Sequence, residues 1–278
     1  PASNTVLTSV VVNTTPIVSV SSGSICSGSS FTLSPIGAVS YTYSGGVAIV
    51  APLINTSYTI TGANAFGCTN TAVSNVTVNA TPTLSINNGT ICSGNSFTIL
   101  PSGASSYTYS GGSAVVTPTA NASYTVTGTS AQGCPASNTV VSNVTVNITP
   151  TVSVNSGSIC SGKSFTMLPS GANTYSYSSG SAVVSPLTNT GYSVTGTSAQ
   201  GCVSSNTAVS NVTVYISPTI TVNSGSICSG NSFIITPTGA STYTYSGGSA
   251  TITPISNTTI SVTGTSSLGC LSTNTAIS

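Results

Sequence analysis

Apolar and polar residues alternate with a period of two along most of the chain, in short runs broken by Gly, Pro and Ser. In one stretch Leu84 and Ile86 share a face, with Thr83 and Ser85 opposite. Then come Phe97 and Ile99, Tyr107 and Tyr109, Ala114 and Val116, Tyr124 and Val126, and finally Val144 and Val146. A period of two is the mark of a strand with one buried face. Turn signals such as Pro101-Ser102-Gly103 and Gly111-Gly112 separate these runs. No run carries the helical period. Six short strands at regular spacing predict an all-β sandwich.

The same pattern occurs four times, which makes the chain a tandem array. Ile25-Cys26-Ser27-Gly28 returns as Ile91-Cys92-Ser93-Gly94, Ile159-Cys160-Ser161-Gly162 and Ile227-Cys228-Ser229-Gly230. The spacing is 66 residues once and 68 twice, the first unit being shorter in the loop after Cys68. Thr15-Pro16, Thr81-Pro82, Thr149-Pro150 and Ser217-Pro218 mark the boundaries, each Pro suiting the start of an edge strand. The expected layout is residues 1–15 as the last strand of a preceding repeat, then repeats at 16–81, 82–149, 150–217 and 218–278. The last of these lacks its final strand.

Each repeat is small enough to be marginal on hydrophobic burial alone, so a covalent staple is expected. A second Cys follows each Ile-Cys-Ser-Gly by 42 positions, giving Cys68, Cys134, Cys202 and Cys270. Two pairings respect the repeat. One lies within repeats: Cys26–Cys68, Cys92–Cys134, Cys160–Cys202 and Cys228–Cys270. The other joins neighbours: Cys68–Cys92, Cys134–Cys160 and Cys202–Cys228. The first is preferred, because it staples every small core and leaves no Cys unpaired. Closing a loop of about 42 residues restricts the unfolded chain by ~4 kcal/mol in the entropy model. Either pairing implies an oxidising, extracellular location.

Charge changes the picture further. Of 278 residues one is Lys, Lys163, and there is no Arg, Asp, Glu or His. Nucleic acid and anionic membrane surfaces need Lys and Arg, so both are poor partners. A surface without net charge lacks the repulsion that keeps molecules apart, which favours self-association. The longest apolar run, Val47 to Ile54, is far short of the ~20 residues of a membrane-spanning helix.

Catalysis finds no equipment. A Ser or Thr nucleophile needs a base, and neither His nor carboxylate exists. Gly157-Ser158-Ile159-Cys160-Ser161-Gly162-Lys163-Ser164 matches the phosphate-binding loop pattern letter for letter. Yet Phe165-Thr166-Met167 reads as a strand where that loop needs a helix, and no Asp is present to organise magnesium. No cofactor and no metal site is expected, and the chain reads as a non-enzyme. The many N-x-S/T triplets follow from composition; O-linked glycans on exposed Ser or Thr are the preferred expectation. The strand pairs ending in Tyr43, Tyr109, Tyr177 and Tyr245 invite a glycan-stacking reading, although such pairs also serve as cross-strand packing.

The order Thr-Pro-Thr-Val-Ser-Val, Ile-Cys-Ser-Gly, Tyr-Thr-Tyr-Ser-Gly-Gly, Ser-Tyr-Thr-Val-Thr-Gly and Gln-Gly-Cys resembles the Ig-like/PKD-like repeats of giant secreted surface proteins of Bacteroidota. The resemblance spans the chain four times over. It implies Ig-like β-sandwiches in a type IX-secreted adhesin or filament, acting as spacers or adhesive modules. Tyr stands where such repeats often carry Trp, and the missing carboxylates put inter-domain calcium sites in doubt.

Pro1–Val6, Val10 and Val12 are identical to Pro135–Val140, Val144 and Val146. Two readings follow. Either the chain is a window of a longer array, or the N-terminal strand of one chain completes the last repeat of another. Residues 271–278 correspond to 1–8, so a donor strand would meet a half-filled position, which favours the window. Both readings describe an extracellular filament or adhesin stalk. The alternative is a module that binds glycans or surfaces multivalently.

Overall fold

The computed structural model describes residues 3–278. Among them every regular element is a strand, and no helix is long and apolar enough to cross a membrane. The chain is a tandem array of small Ig-like β-sandwich repeats, divided into two compact units, Pro1–Val146 and Asn147–Ser278.

The first repeat sets the pattern. Its strands are β1 (Gly23–Cys26), β2 (Phe31–Thr32), β3 (Ser40–Tyr43), β4 (Ile49–Val50), β5 (Thr56–Ala63) and β6 (Thr69–Asn79). One sheet runs in the order β1-β6-β5-β3, and β2 pairs with β4 in the other. The long strand β6 is internal. It is antiparallel to β5, from Thr56↔Val76 to Ala63↔Thr69. On its other side it is parallel to β1, from Gly23↔Val76 to Cys26↔Asn79. The same two sheets recur in the second and third repeats.

The core lies between the layers. Leu33, Val50 and Ile60 are buried, with Val20, Phe31, Tyr41, Tyr43 and Tyr58 packed against them. Equivalent clusters centre on Ile99, Val116 and Val126, on Met167, Val184, Val194 and Val212, and on Ile220, Ile235, Ile260 and Val262. Each cluster draws its residues from one repeat, as expected of an array of small sandwiches. Strand alternation explains who goes in: Val76 is 1% exposed while its neighbour Thr77 faces solvent.

Two strand expectations need correction. The segment around Leu84 and Ile86 forms only an isolated bridge, Ser85↔Ser102. There the Asn87 side chain replaces the ladder, donating to the Thr98 carbonyl and accepting from the Leu100 amide. The strand that sequence alternation missed is Gly89–Cys92, the counterpart of β1. It is short, begins with Gly and lies within the Ile-Cys-Ser-Gly motif, so periodicity has little to register. The residues expected as a preceding repeat's last strand, 3–15 within the described part, carry no strand.

The Pro-Ser-Gly turn is fixed by close backbone approach. Gly103 has φ +104°, and a Cβ there would overlap the Thr83 carbonyl oxygen. Gly112, with φ +73°, has open space around the same position. Gly103→Ala should therefore cost more stability than Gly112→Ala, which carries only the roughly 1–2 kcal/mol of left-handed strain. Urea unfolding of the two variants checks the ranking; equal losses would remove the steric account of this turn.

Candidate functional site: the junctions between repeats

The chemistry of this chain is concentrated in its cysteines, and the fold places them unlike either expected pairing. Cys26 ends β1, directly across from Asn79 at the end of β6. Cys68 lies just before the start of β6. The two cysteines of one repeat thus sit at opposite ends of a strand of 11 residues. At about 3.3 Å per residue that is roughly 35 Å, whereas a disulfide tolerates at most ~7 Å between Cα atoms. Pairing within a repeat is excluded by the length of β6.

The end of β6 instead carries Cys26 to the following repeat. Cys134 belongs to a tight turn there, its amide donating to Ser130 Oγ at 3.1 Å. Its Sγ lies 3.9 Å from the Asn79 carbonyl oxygen, beside the residue that faces Cys26. The disulfide is Cys26–Cys134, with 5.5 Å between Cα atoms. The second unit repeats the arrangement. Cys160 faces Tyr215, Cys270 Sγ lies 3.9 Å from the Tyr215 carbonyl oxygen, and Cys160–Cys270 closes with 5.6 Å between Cα atoms. Each of these bridges joins consecutive repeats, so the expectation of one disulfide inside each repeat is corrected.

Cys92 and Cys202 are disulfide-bonded as well. Cys68 and Cys228, both expected in disulfides, are free thiols, the first half-buried and the second exposed. This also removes the neighbour pairings Cys68–Cys92 and Cys202–Cys228. Cys68 nevertheless has the junction geometry. Its Sγ approaches the Asn13 carbonyl oxygen at 3.7 Å, and Asn64 Nδ2 donates to the Thr14 carbonyl at 2.8 Å.

Within each of the last three repeats, uncharged side-chain hydrogen bonds tie the first segment to the residues just before the last strand. Asn138 clamps Leu84, accepting from its amide and donating to its carbonyl. Asn206 does the same for Val152, and Asn274 for Ile220. Among the described residues no buried side-chain nitrogen or oxygen lacks a partner. Sequence reasoning missed these asparagines, although Ser-Asn-Thr or its variant recurs in each repeat.

The tyrosines belong to the cores. Tyr43, Tyr109, Tyr177 and Tyr245 are half-buried and pack against the four apolar clusters. Their strand partners Tyr41, Tyr107, Tyr175 and Tyr243 each bond through the hydroxyl to the backbone three residues earlier, at Ala38, Ala104, Ala172 and Ala240. Core packing accounts for the paired spacing. Lys163 is exposed in a turn, its amide donating to the Cys160 carbonyl at 3.0 Å. A strand, Phe165–Thr166, follows it, so the phosphate-loop match has no helix to open.

No family model matches the chain, and no curated protein matches it. Solved structures with a partial likeness include a Ca2+-stabilised, ice-binding adhesin of an Antarctic bacterium. It has TM-score 0.32 and 16% identity, over 92% of this chain and 95% of that one. Another is a fragment of the titin I-band, with TM-score 0.35 and 11% identity over 72% and 98%. A third belongs to a 1.5-MDa bacterial ice-binding adhesin, with TM-score 0.29 and 17% identity over 73% and 99%. Likeness at this level assigns no ligand and no role.

The disulfide map is directly checkable. Alkylation of the folded, non-reduced protein should label Cys68 and Cys228. Chymotryptic digestion, with fragmentation of the shared peptide 125–165 to separate Cys134 from Cys160, should show Cys26 joined to Cys134 and Cys160 to Cys270; a Cys26–Cys68 peptide would overturn the junction geometry.

Proposed function

We propose that this chain is a tension-bearing segment of an extracellular bacterial stalk or filament, of the kind carried by secreted surface adhesins. The observation that supports this most is the placement of the disulfides across repeat boundaries. A bridge inside a sandwich protects one core. A bridge between sandwiches ties the end of one to a turn of the next, so a pull along the chain loads a covalent bond at the junction. Disulfides of this kind persist in oxidising, extracellular settings. The sequence resemblance to surface repeats of Bacteroidota points the same way, towards export and display at the cell surface.

The uncharged composition suits such a location. With no Asp, Glu or His, side-chain proton binding hardly changes through the acidic range, so folding gains or loses little from pH. The thermal midpoint Tm should stay flat between about pH 4.5 and 7; a drop of more than a few degrees over that range would contradict it.

Single-molecule stretching tests the mechanical reading. In the oxidised chain the residues enclosed by Cys26–Cys134 and by Cys160–Cys270 should stay out of the unfolded contour length, and reductant should release them. Oxidised chains that extend to the same length as reduced ones would sink the proposal.

A further inference from the structure

The first repeat fastens its leading segment less firmly than the later repeats do. In the second repeat the Ser137 amide donates to the Pro82 carbonyl. Asn138 clamps Leu84 through both backbone groups, and Asn87 bridges to the Thr98 carbonyl and the Leu100 amide. The third repeat has the same fastenings through Ser205, Asn206 and Asn155. The fourth has them through Thr273, Asn274 and Asn223.

Two differences inside the first repeat remove most of these bonds from residues 16–21. One is the shorter loop after Cys68. Without the extra residues the chain enters β6 directly and zips onto β5 as far as Ala63↔Thr69. Asn70, the counterpart of Asn138, is held in that ladder opposite Gly62. It donates only to the Pro16 carbonyl, at 3.0 Å, while its Oδ1 accepts from the Thr71 amide. Val18, the counterpart of Leu84, has no hydrogen-bond partner among the described residues. It is half-buried, where Leu84, Val152 and Ile220 are 4%, 3% and 1% exposed.

The other difference is Ser21, which stands where the later repeats have Asn87, Asn155 and Asn223. Its backbone is placed as theirs is. Ser74 Oγ donates to the Ser21 carbonyl at 2.8 Å, and Ser142 Oγ donates to the Asn87 carbonyl at 2.7 Å. The hydroxymethyl group is too short to span the seam that the asparagines bridge. The Ser34 amide, counterpart of the Leu100 amide, has no hydrogen-bond partner among the described residues. An open groove of about 320 Å³ lies there instead, lined by Ser19, Val20, Ser21, Ser34 and Ile36.

We propose that residues 16–21 are a releasable strap, which under load leaves the first sandwich before the rest of that repeat gives way. The Cys26–Cys134 bridge decides what can yield. Residues 27–133 lie inside the loop it closes, so a pull arriving at the first repeat runs through residues 16–25 into the covalent bond. β1 resists it well. Its residues pair in parallel with the end of β6 and must slide past that strand together. The strap in front of β1 is held by the Ser19↔Ile36 bridge and by the Asn70 and Ser74 bonds, so it peels first. In the third repeat the same pull meets the full set of fastenings ahead of Cys160. Release adds at most roughly 20 Å of chain, while Leu33, Val50 and Ile60 stay in the part that the bridge encloses. The strap thus gives a small reversible extension ahead of a covalent stop.

Its use rests on the stalk reading, but the loosened seam can be read without load. Hydrogen exchange of the oxidised, full-length protein reports the opening of single amides. The Ser34 amide should exchange at least about tenfold faster than those of Leu100, Leu168 and Thr236, and Val18 likewise against Leu84, Val152 and Ile220. Ser21→Asn should slow Ser34 by about tenfold, and Asn87→Ser should bring Leu100 to the Ser34 rate. Equal exchange at Ser34 and Leu100, or a Ser34 rate that Ser21→Asn leaves unchanged, would overturn the proposal. In single-molecule stretching the oxidised chain should show a first short extension, which Ser21→Asn moves to higher force; the same force in both proteins would also overturn it. That readout is the force of the first extension, whereas the stalk reading is tested by the contour length that reductant releases, so either can fail alone.

Discussion

The structure depends on the double role of one strand. β6 fills the space between β1 and β5, and its Val76 closes the core. Its far end then leaves the sandwich and becomes the platform of the next junction, where Asn79 faces Cys26 and receives Cys134. Core and junction are therefore not separate designs. A parallel pairing between β1 and the end of β6 is what puts a cysteine at the exit of each repeat. The length of β6 is what keeps the two cysteines of that repeat apart.

Neutrality imposes a second constraint. Without ion pairs, every irregular segment must satisfy its backbone through amides and hydroxyls. Asparagine does much of this by imitating a strand. Asn87, Asn155 and Asn223 each bond both ways to a neighbouring strand. Buried serines do the rest: Ser74, Ser142 and Ser210 donate to Ser21, Asn87 and Asn155 carbonyls. These bonds join uncharged groups, so salt has no ion pair to screen in them.

Much of this fold was legible in the sequence because it rests on patterns the chain displays directly. Alternation exposed β3, β5 and β6 with their counterparts, and Pro-Ser-Gly marked the turn that Gly103 requires. β1 was not legible, because four residues beginning with Gly give no period and parallel pairing leaves no hairpin signal. The pairing of the cysteines failed for the same reason. The repeat suggested staples inside each unit, and only the position of Cys26 beside Asn79, at the far end of an 11-residue strand, shows that the staple must reach forward. The Tyr pairs showed the opposite limit. Their spacing is visible, but whether such rings stack on sugars or on a core is decided by the sheets around them.

A bridge across a junction differs in physical consequence from one within a core. Inside a repeat, a disulfide would mainly restrict the unfolded chain of that repeat. Across a boundary it restricts the native array, since two sandwiches joined only by a short peptide could otherwise pivot. The hydrogen-bond clamp of Asn138 on Leu84 ties the ends of one repeat together, and the Cys26–Cys134 bridge ties that repeat to the one before it. Repeat one thus grips repeat two, and repeat three grips repeat four. The arrangement is a property of the repeat itself: the features that seat repeat two on repeat one recur where repeat four is seated on repeat three, in cysteine position, strand register and carbonyl contact alike.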